Sequence, residues 1–363
     1  MDRARAVATA AVPALVLLSG CSAPSAHEAA SRAPAPATSP PPPSSPPART
    51  AEDTGRPPQL VAVSFDGSGD IGLWRYWRAV ARRDHAHLTF LLSGVYLLSA
   101  ADADLYHPPR RPPGSSDIGF VEAAPGMSDR ATIAGLLDEI AAGRAEGDEL
   151  GTHFNGHFCG PRGVASWTAA DWANELEAFD TLLEGARVHS HLTGAQAAAP
   201  PPPAAVAGAR TPCLEGDLGV LHRVLAARGF LYDSSATAGL GEWPVRDRGV
   251  WSLPLTIVPR AGTPYRNVAM DYSFYVNQSG AVDAPAAAEP VLEEQTYASY
   301  LDAFHTLYAG DRAPLIIGHH FTTWNHGAYL RALTRLLDAV CGLPEVRCVS
   351  LAELAAWLDG HPR

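Results

Sequence analysis

His153-Phe154-Asn155-Gly156-His157 sets two imidazoles four residues apart. On a helical turn this H-x3-H spacing puts both rings on one face, as a pair of metal ligands requires. A zinc protease of the helical type would carry a glutamate beside the first histidine as general base. Phe154 stands there and argues against that chemistry. Taken alone, a pair at this spacing is more often structural or exposed than a metal site, so the neighbouring residues carry the weight. His153 follows the run Glu149-Leu150-Gly151-Thr152, and Asp66 follows Val61-Ala62-Val63-Ser64-Phe65. Arg210 closes Ala204–Ala209, Asp233 closes Phe230-Leu231-Tyr232, and His319-His320 close Leu315-Ile316-Ile317-Gly318. Five apolar runs each end in an ionisable or metal-ligating group. In a parallel barrel the C-terminal strand ends meet at one mouth, where active sites are built.

The runs that position these groups read as strands: Leu60–Phe65, Leu88–Leu92, Glu149–His153, Ala204–Ala209, Phe230–Tyr232, Val250–Val258, Pro314–Ile317 and Val346–Leu351. Helical periodicity separates many of them. In Ser128–Gly143, Ser128 suits the N-cap, Ile133, Leu136, Leu137 and Ile140 share a face, and Gly143 can end the helix. Thr168–Glu184 places Trp172, Leu176, Phe179 and Leu183 on one stripe; Glu215–Gly229, Thr296–Ala309, Gly327–Ala339 and Leu351–Leu358 complete the series. Repeated strand–helix alternation predicts an α/β fold around a parallel sheet curled into a barrel. The insert Ala100–Gly126 and the run Pro200–Pro203 read as surface loops.

Of 363 residues 47% are apolar, and the net charge of −11 argues against an electrostatic grip on nucleic acid. All 27 basic residues are arginine. Arg3 and Arg5 precede a short apolar run, Ala6–Leu18, that ends in Leu18-Ser19-Gly20-Cys21. Such a run is a signal segment rather than a membrane span. The small residues before Cys21 resemble a bacterial lipobox, which implies lipidation of Cys21 after cleavage. Residues 22–58 hold 11 prolines among Ala and Ser and read as a stiff spacer. Three parts follow: a lipoprotein leader at 1–21, a linker at 22–58 and a catalytic barrel at 59–363. The chain is expected to be exported and monomeric, anchored to the outer face of the cytoplasmic membrane through its lipid alone, or secreted. Four further cysteines permit two disulfides in three connectivities. Closeness in sequence favours Cys341–Cys348 and so Cys159–Cys213; no C-x2-C pair marks a zinc cluster.

From Leu60 to Leu358 the pattern resembles the polysaccharide deacetylase family, carbohydrate esterase family 4. The family's Thr-Phe-Asp-Asp-Gly box is matched by Ser64-Phe65-Asp66-Gly67, and its His-Thr-x-x-His box by Gly151-Thr152-His153-Phe154-Asn155-Gly156-His157. Arg210-Thr211-Pro212 matches Arg-x-Pro, Phe230-Leu231-Tyr232-Asp233-Ser234-Ser235 resembles the Gly-Phe-x-Tyr-Asp-Ser run, and Ile317-Gly318-His319 matches the last box. The resemblance implies a distorted (β/α) barrel of about seven parallel strands. It further implies a hydrolase acting on peptidoglycan, chitin or xylan: removal of N-acetyl groups by cleavage of a non-peptide carbon–nitrogen bond, or of O-acetyl groups by cleavage of an ester. A divalent metal, zinc or another such as cobalt, would be held by His153, His157 and a carboxylate, and would activate water and polarise the acetyl carbonyl. Asp66 would be the base, Arg210 its support, and His319 the acid with His320 in reserve. Trp74, Trp77, Trp243 and Trp324 are candidates for stacking on sugars, and each also suits core or rim packing.

One position departs from the pattern. Gly67 stands where the family has a second carboxylate, so Asp66 is left to serve as base or as ligand. Asp70 restores the pair if Gly67-Ser68-Gly69 folds it back; otherwise it is an exposed loop acid. Ile317 and His319 share a strand face, which favours His319 over His320. The rival readings are a non-catalytic glycan binder on the same fold, a metal-independent C–N hydrolase, and a glycosidase drawing its two acids from Asp66, Asp70 and Asp233.

Overall fold

The first strand, β1 (Gln59–Gly67), shows why the rest of the chain gathers around it. Val61, Val63 and Phe65 project to one side and join a core of helix residues, whereas Leu60 and Ala62 project to the other and meet Tyr232, Leu255 and Ile316. A strand apolar on both faces must be covered on both, as parallel sheets are. The computed structural model describes residues 55–361; the leader with Cys21 and spacer residues 22–54 lie outside the described residues.

After β1 come α1 (Ile71–Asp84), β2 (Thr89–Leu92), α2 (Asp129–Glu146), β3 (Glu149–Thr152), α3 (Ala169–His189), β4 (Gly208–Ala209), α4 (Leu218–Ala227) and β5 (Tyr232–Asp233). Five short strands follow: β6 (Thr237–Gly239), β7 (Val245–Asp247), β8 (Val250–Ser252), β9 (Leu255–Pro259) and β10 (Arg266–Val268). The chain closes with α5 (Asp271–Ser279), α6 (Glu289–Ala309), β11 (Leu315–His320), α7 (Trp324–Val340), β12 (Val346–Val349) and α8 (Leu351–Gly360). The main sheet runs β11-β1-β2-β3-β4-β5-β8-β7, with β12 also on β1, and every pairing except β7–β8 is parallel. It is a curled half-barrel, open between β11 and β7 rather than closed. A small sheet, β10-β9-β6, lies beside it.

Several expectations change. The run 250–258 is two strands in two sheets, because Pro254 lacks the N–H that a continuous ladder needs. Of 204–209 only Gly208 and Ala209 pair; residues 203–205 form a 3-10 turn. The insert 100–126 is more than a surface loop, since Tyr106 is fully buried and residues 118–122 wall a cleft. Helix α1 is absent from the sequence-based series. It buries Ile71, Trp74, Trp77, Val80 and Ala81 along one stripe, and the Asp70 carboxylate caps it by accepting from Leu73 N–H at 2.7 Å. Cys159–Cys213 and Cys341–Cys348 are disulfides.

Two of the candidate sugar platforms belong to the core. Trp74 is 1% exposed, stacks on Phe90 at 3.9 Å and donates its indole N–H to Ser68 O at 2.8 Å. Trp77 packs on Phe65. Trp243 donates to Asp311 and lies outside the residues that line the cleft. Trp74→Ala is therefore expected to cost about 3–5 kcal/mol of stability through the cavity it leaves. A urea denaturation curve checks this, and a midpoint equal to the parent's would refute the packing role.

Candidate active site

Asp66 and His320 sit opposite one another at the ends of the adjacent parallel strands β1 and β11, where their Cα atoms pair in register. Alternation decides which of the two histidines faces inward. Leu315, Ile317 and His319 lie on the helix-covered side, where Ile317 joins the same core as Phe65, and Ile316 lies on the interior side with Leu60 and Ala62. His320 shares the phase of Ile316. It lines a cleft of about 920 Å³ together with Asp66, His153, His157, Tyr96 and Trp324. His319 does share a face with Ile317, as expected, but that face is turned away from the mouth. Its Nε2 meets Tyr300 Oη at 3.0 Å, and burial drives its pKa down to about 4. The acid candidate thus changes from His319 to His320.

Arg210, at the end of β4, is fully buried and holds Asp66 in place: Nη1 donates to Asp66 Oδ1 at 2.7 Å. Its Nη2 donates to Ser64 Oγ and Ser234 Oγ, and Nε to the Ser234 carbonyl. Burial is the strongest influence and would raise the Asp66 pKa, but the Arg210 charge, the neighbouring His320 and the Arg210 hydrogen bond together outweigh it. The carboxyl stays below the usual range, ionised.

His320 is matched by a residue that sequence reasoning missed. Asp271 accepts from His320 N–H at 2.9 Å, and its other oxygen pairs with His320 Nδ1 at 2.7 Å. Burial would lower the His320 pKa, but the charge of Asp271 and this bond raise it overall. The pair leaves Nε2 as the nitrogen that can serve a ligand in the cleft. Asp271 opens α5 just after Met270, which forms a single parallel bridge to Gly318 of β11. The available signal was the apolar Val268-Ala269-Met270 ahead of an acid, too short to read as a strand end.

The H-x3-H segment is not helical. Phe154 (φ 60°) and His157 (φ 54°) take left-handed conformations, and this tight loop after β3 brings the two rings to 5.1 Å between centroids. His153 Nδ1 lies 2.9 Å from the Arg210 carbonyl, which can only accept. The proton is therefore on Nδ1, and Nε2 keeps its lone pair. Burial takes the His153 pKa down to about 3 and lowers that of His157, so both imidazoles are neutral. Neutral rings with a fixed tautomer suit a cation. A carboxylate does not join them: among the described residues, the set of three donors spaced for an ion is His157, Cys159 and Cys213, whose sulfurs are bonded to each other. Asp70, proposed from sequence as the third ligand, is turned to cap α1. His153 and His157 thus offer two neutral nitrogens at the cleft, and no carboxylate among the described residues is spaced to complete a three-donor set with them.

Trp324 remains at the cleft, stacked on Tyr275 at 4.9 Å, with Tyr272 beside it. Asp233, another strand-end acid, is fully buried between Ser235 and His222 and does not line the cleft.

No protein-family model and no curated protein matches the sequence. Solved structures do. A Mycobacterium smegmatis protein described as a polysaccharide deacetylase superposes with a TM-score of 0.51 at 12% identity, over 85% of this chain and 93% of that one. The fold is the polysaccharide-deacetylase fold. A family 4 carbohydrate esterase from Streptomyces lividans (TM-score 0.39, 11% identity, 80% and 91% covered) is a further match. So is a chitin deacetylase from Colletotrichum lindemuthianum (0.41, 16%, 82% and 87%).

The Asp271–His320 pair has a signature in solution. In ¹⁵N-histidine NMR titrations, His320 is expected to stay protonated above pH 6.5, its ordinary pKa, while His153 and His319 stay neutral above about pH 5. The pair stabilises the fold below the unfolded histidine pKa, and this contribution fades as pH rises through the raised folded value. Asp271→Asn should bring the His320 titration down; an unmoved titration would refute the pairing.

Proposed function

We propose that this protein is a hydrolase of the deacetylase type, removing acetyl groups from nitrogen (or oxygen) on an acetylated glycan of the peptidoglycan, chitin or xylan class. One observation carries the reading: Asp66 and His320, on neighbouring strand ends, face the same cleft, each with its own buried partner, Arg210 for the one and Asp271 for the other. Hydrolysis of an amide needs both, a base to take the proton from water and an acid to protonate the departing amine. Environments that push two titratable groups apart mark such an assignment. Asp66 is held ionised and immobile by Arg210, and Asp271 shifts His320 toward its protonated form.

His153 and His157 would hold a divalent ion, zinc or cobalt, which when bound supplies polarisation of the acyl carbonyl and a more acidic water. The aromatic side chains of Tyr96, Tyr272 and Trp324 offer apolar faces to a sugar ring. Two disulfides suit an oxidising, extracytoplasmic compartment, and no helix among the described residues is long and apolar enough to cross a membrane. The lipid anchor at Cys21 and the monomeric state complete the proposal.

A second reading draws support from Gly67, where the resemblance places a metal carboxylate: a glycan binder that has lost turnover. Acetate release from N-acetylated oligosaccharides separates the two. The parent is expected to release acetate, and Asp66→Asn to lose at least about 100-fold in kcat. Saccharide binding by a parent that releases no acetate would establish the binder instead.

Gly67 adopts φ +89°, and a Cβ there would approach only the Tyr96 ring, at 3.7 Å. Any side chain is strained at this φ, a cost that aspartate bears better than most residues. Gly67→Asp is expected to tighten Co²⁺ binding about tenfold or more by adding the third donor. An unchanged affinity in calorimetry would show that this position does not serve the ion.

A further inference from the structure

Glu175, in the middle of α3, is fully buried and, among the described residues, has no arginine partner. Burial pushes its carboxyl up to about 7, the mark of an acid in an unfavourable place. An apolar side chain on this face of α3, beside Trp172 and Leu176, would pack without that cost. What the carboxylate does there is accept hydrogen bonds. Tyr106 O–H lies 2.8 Å and 2.9 Å from its two oxygens, and Asn155 N–H donates to Oε1 at 3.1 Å. Tyr106 Oη in turn accepts from Gly156 N–H at 3.2 Å, and Asn155 Nδ2 donates to the Glu175 carbonyl at 2.8 Å. Every one of these bonds ends on Asn155 or Gly156, or on the tyrosine that holds Gly156.

Those two residues lie between His153 and His157. The loop that carries the imidazoles has left-handed residues at both Phe154 and His157, a conformation that costs roughly 1 kcal/mol or more per non-glycine residue and persists only when its surroundings impose it. Phe154 is imposed by packing on Trp172 and by Gly94 N–H, which donates to its carbonyl at 2.8 Å. The turn from Asn155 to His157 is imposed by Glu175 and Tyr106. We propose that Glu175 and Tyr106 are positioning residues, a buried clamp that sets His153 and His157 at the separation a divalent ion requires. Neither touches the cleft. Their effect passes through the backbone N–H groups of Asn155 and Gly156.

The inference rests on His153 and His157 being the ion's seat, and its test is arranged so that the two ideas fail separately. Glu175→Gln keeps the shape but replaces one accepting oxygen with a donor. Tyr106→Phe removes the hydroxyl that bridges Glu175 and Gly156. Glu139→Gln, which breaks ion pairs with Arg75 and Arg78 far from the loop, serves as the stability control. For each protein, Co²⁺ affinity is measured by calorimetry, and the ring nitrogens of His153 and His157 are followed by ¹⁵N NMR without metal. Glu175→Gln and Tyr106→Phe are expected to weaken Co²⁺ binding at least tenfold and to shift or broaden the two histidines' signals, whereas Glu139→Gln lowers the thermal midpoint only. Clamp variants with parental Co²⁺ affinity and unmoved histidine signals would overturn the proposal, even if their stability fell. A parent that binds no Co²⁺ would overturn the ion seat alone, and the metal-free spectra would still decide the clamp. Should Glu175→Gln fail to fold, Tyr106→Phe decides between the same two outcomes.

Discussion

A fully buried guanidinium and a nearly buried carboxylate at the edge of the cleft meet where β1 and β4 end. Stripping two charges of water is costly, and the attraction between Arg210 and Asp66 offsets that only because further acceptors surround the cation. Ser64, Ser234 and the Ser234 carbonyl supply them. The consequence reaches beyond the pair. The Arg210 carbonyl fixes the tautomer of His153, so one residue orients the base by its side chain and a candidate ligand by its backbone. Removing either partner would leave the other charge buried and alone, a loss of about 3–5 kcal/mol in comparable settings.

Around that pair the site is assembled from short, separately supported pieces. The loop after β3 brings His153 and His157, and the loop after β4 brings Arg210. The Cys159–Cys213 disulfide joins these two loops directly. On the opposite side, α5 brings Asp271 and β11 brings His320. The insert 100–126 contributes in two ways, walling the cleft with residues 118–122 and sending Tyr106 beneath the histidine loop.

Much of this was legible in residue order. Asp66, His153, Arg210 and the His319-His320 pair all end apolar runs, and a parallel sheet brings such ends together. What failed did so for identifiable reasons. Alternation reveals that Ile317 and His319 share a face, but β11 is apolar on both sides, so hydrophobicity does not say which side is the interior. Asp271 was hidden because Val268-Ala269-Met270 is too short to read as a strand end, and it meets the main sheet only through the bridge from Met270 to Gly318. The H-x3-H spacing suggested a helix, yet Phe154 and His157 adopt left-handed backbone that local pattern does not disclose. Asp70 looked like a displaced ligand, but an aspartate ahead of Ile71, Trp74 and Trp77 is also the start signal of an amphipathic helix.

Sliding β11 past β1 by a single position would exchange every one of its residues between the two faces of the sheet. His319 would then enter the cleft opposite Asp66, and His320, now among helix side chains, would be parted from Asp271. The molecule would keep the same amino acids, the same sheet and two adjacent imidazoles, but the histidine in the cleft would no longer be the one paired with Asp271. Here the pairing of two neighbouring strands, in steps of one residue, decides which imidazole, with which partner, faces Asp66 across the cleft.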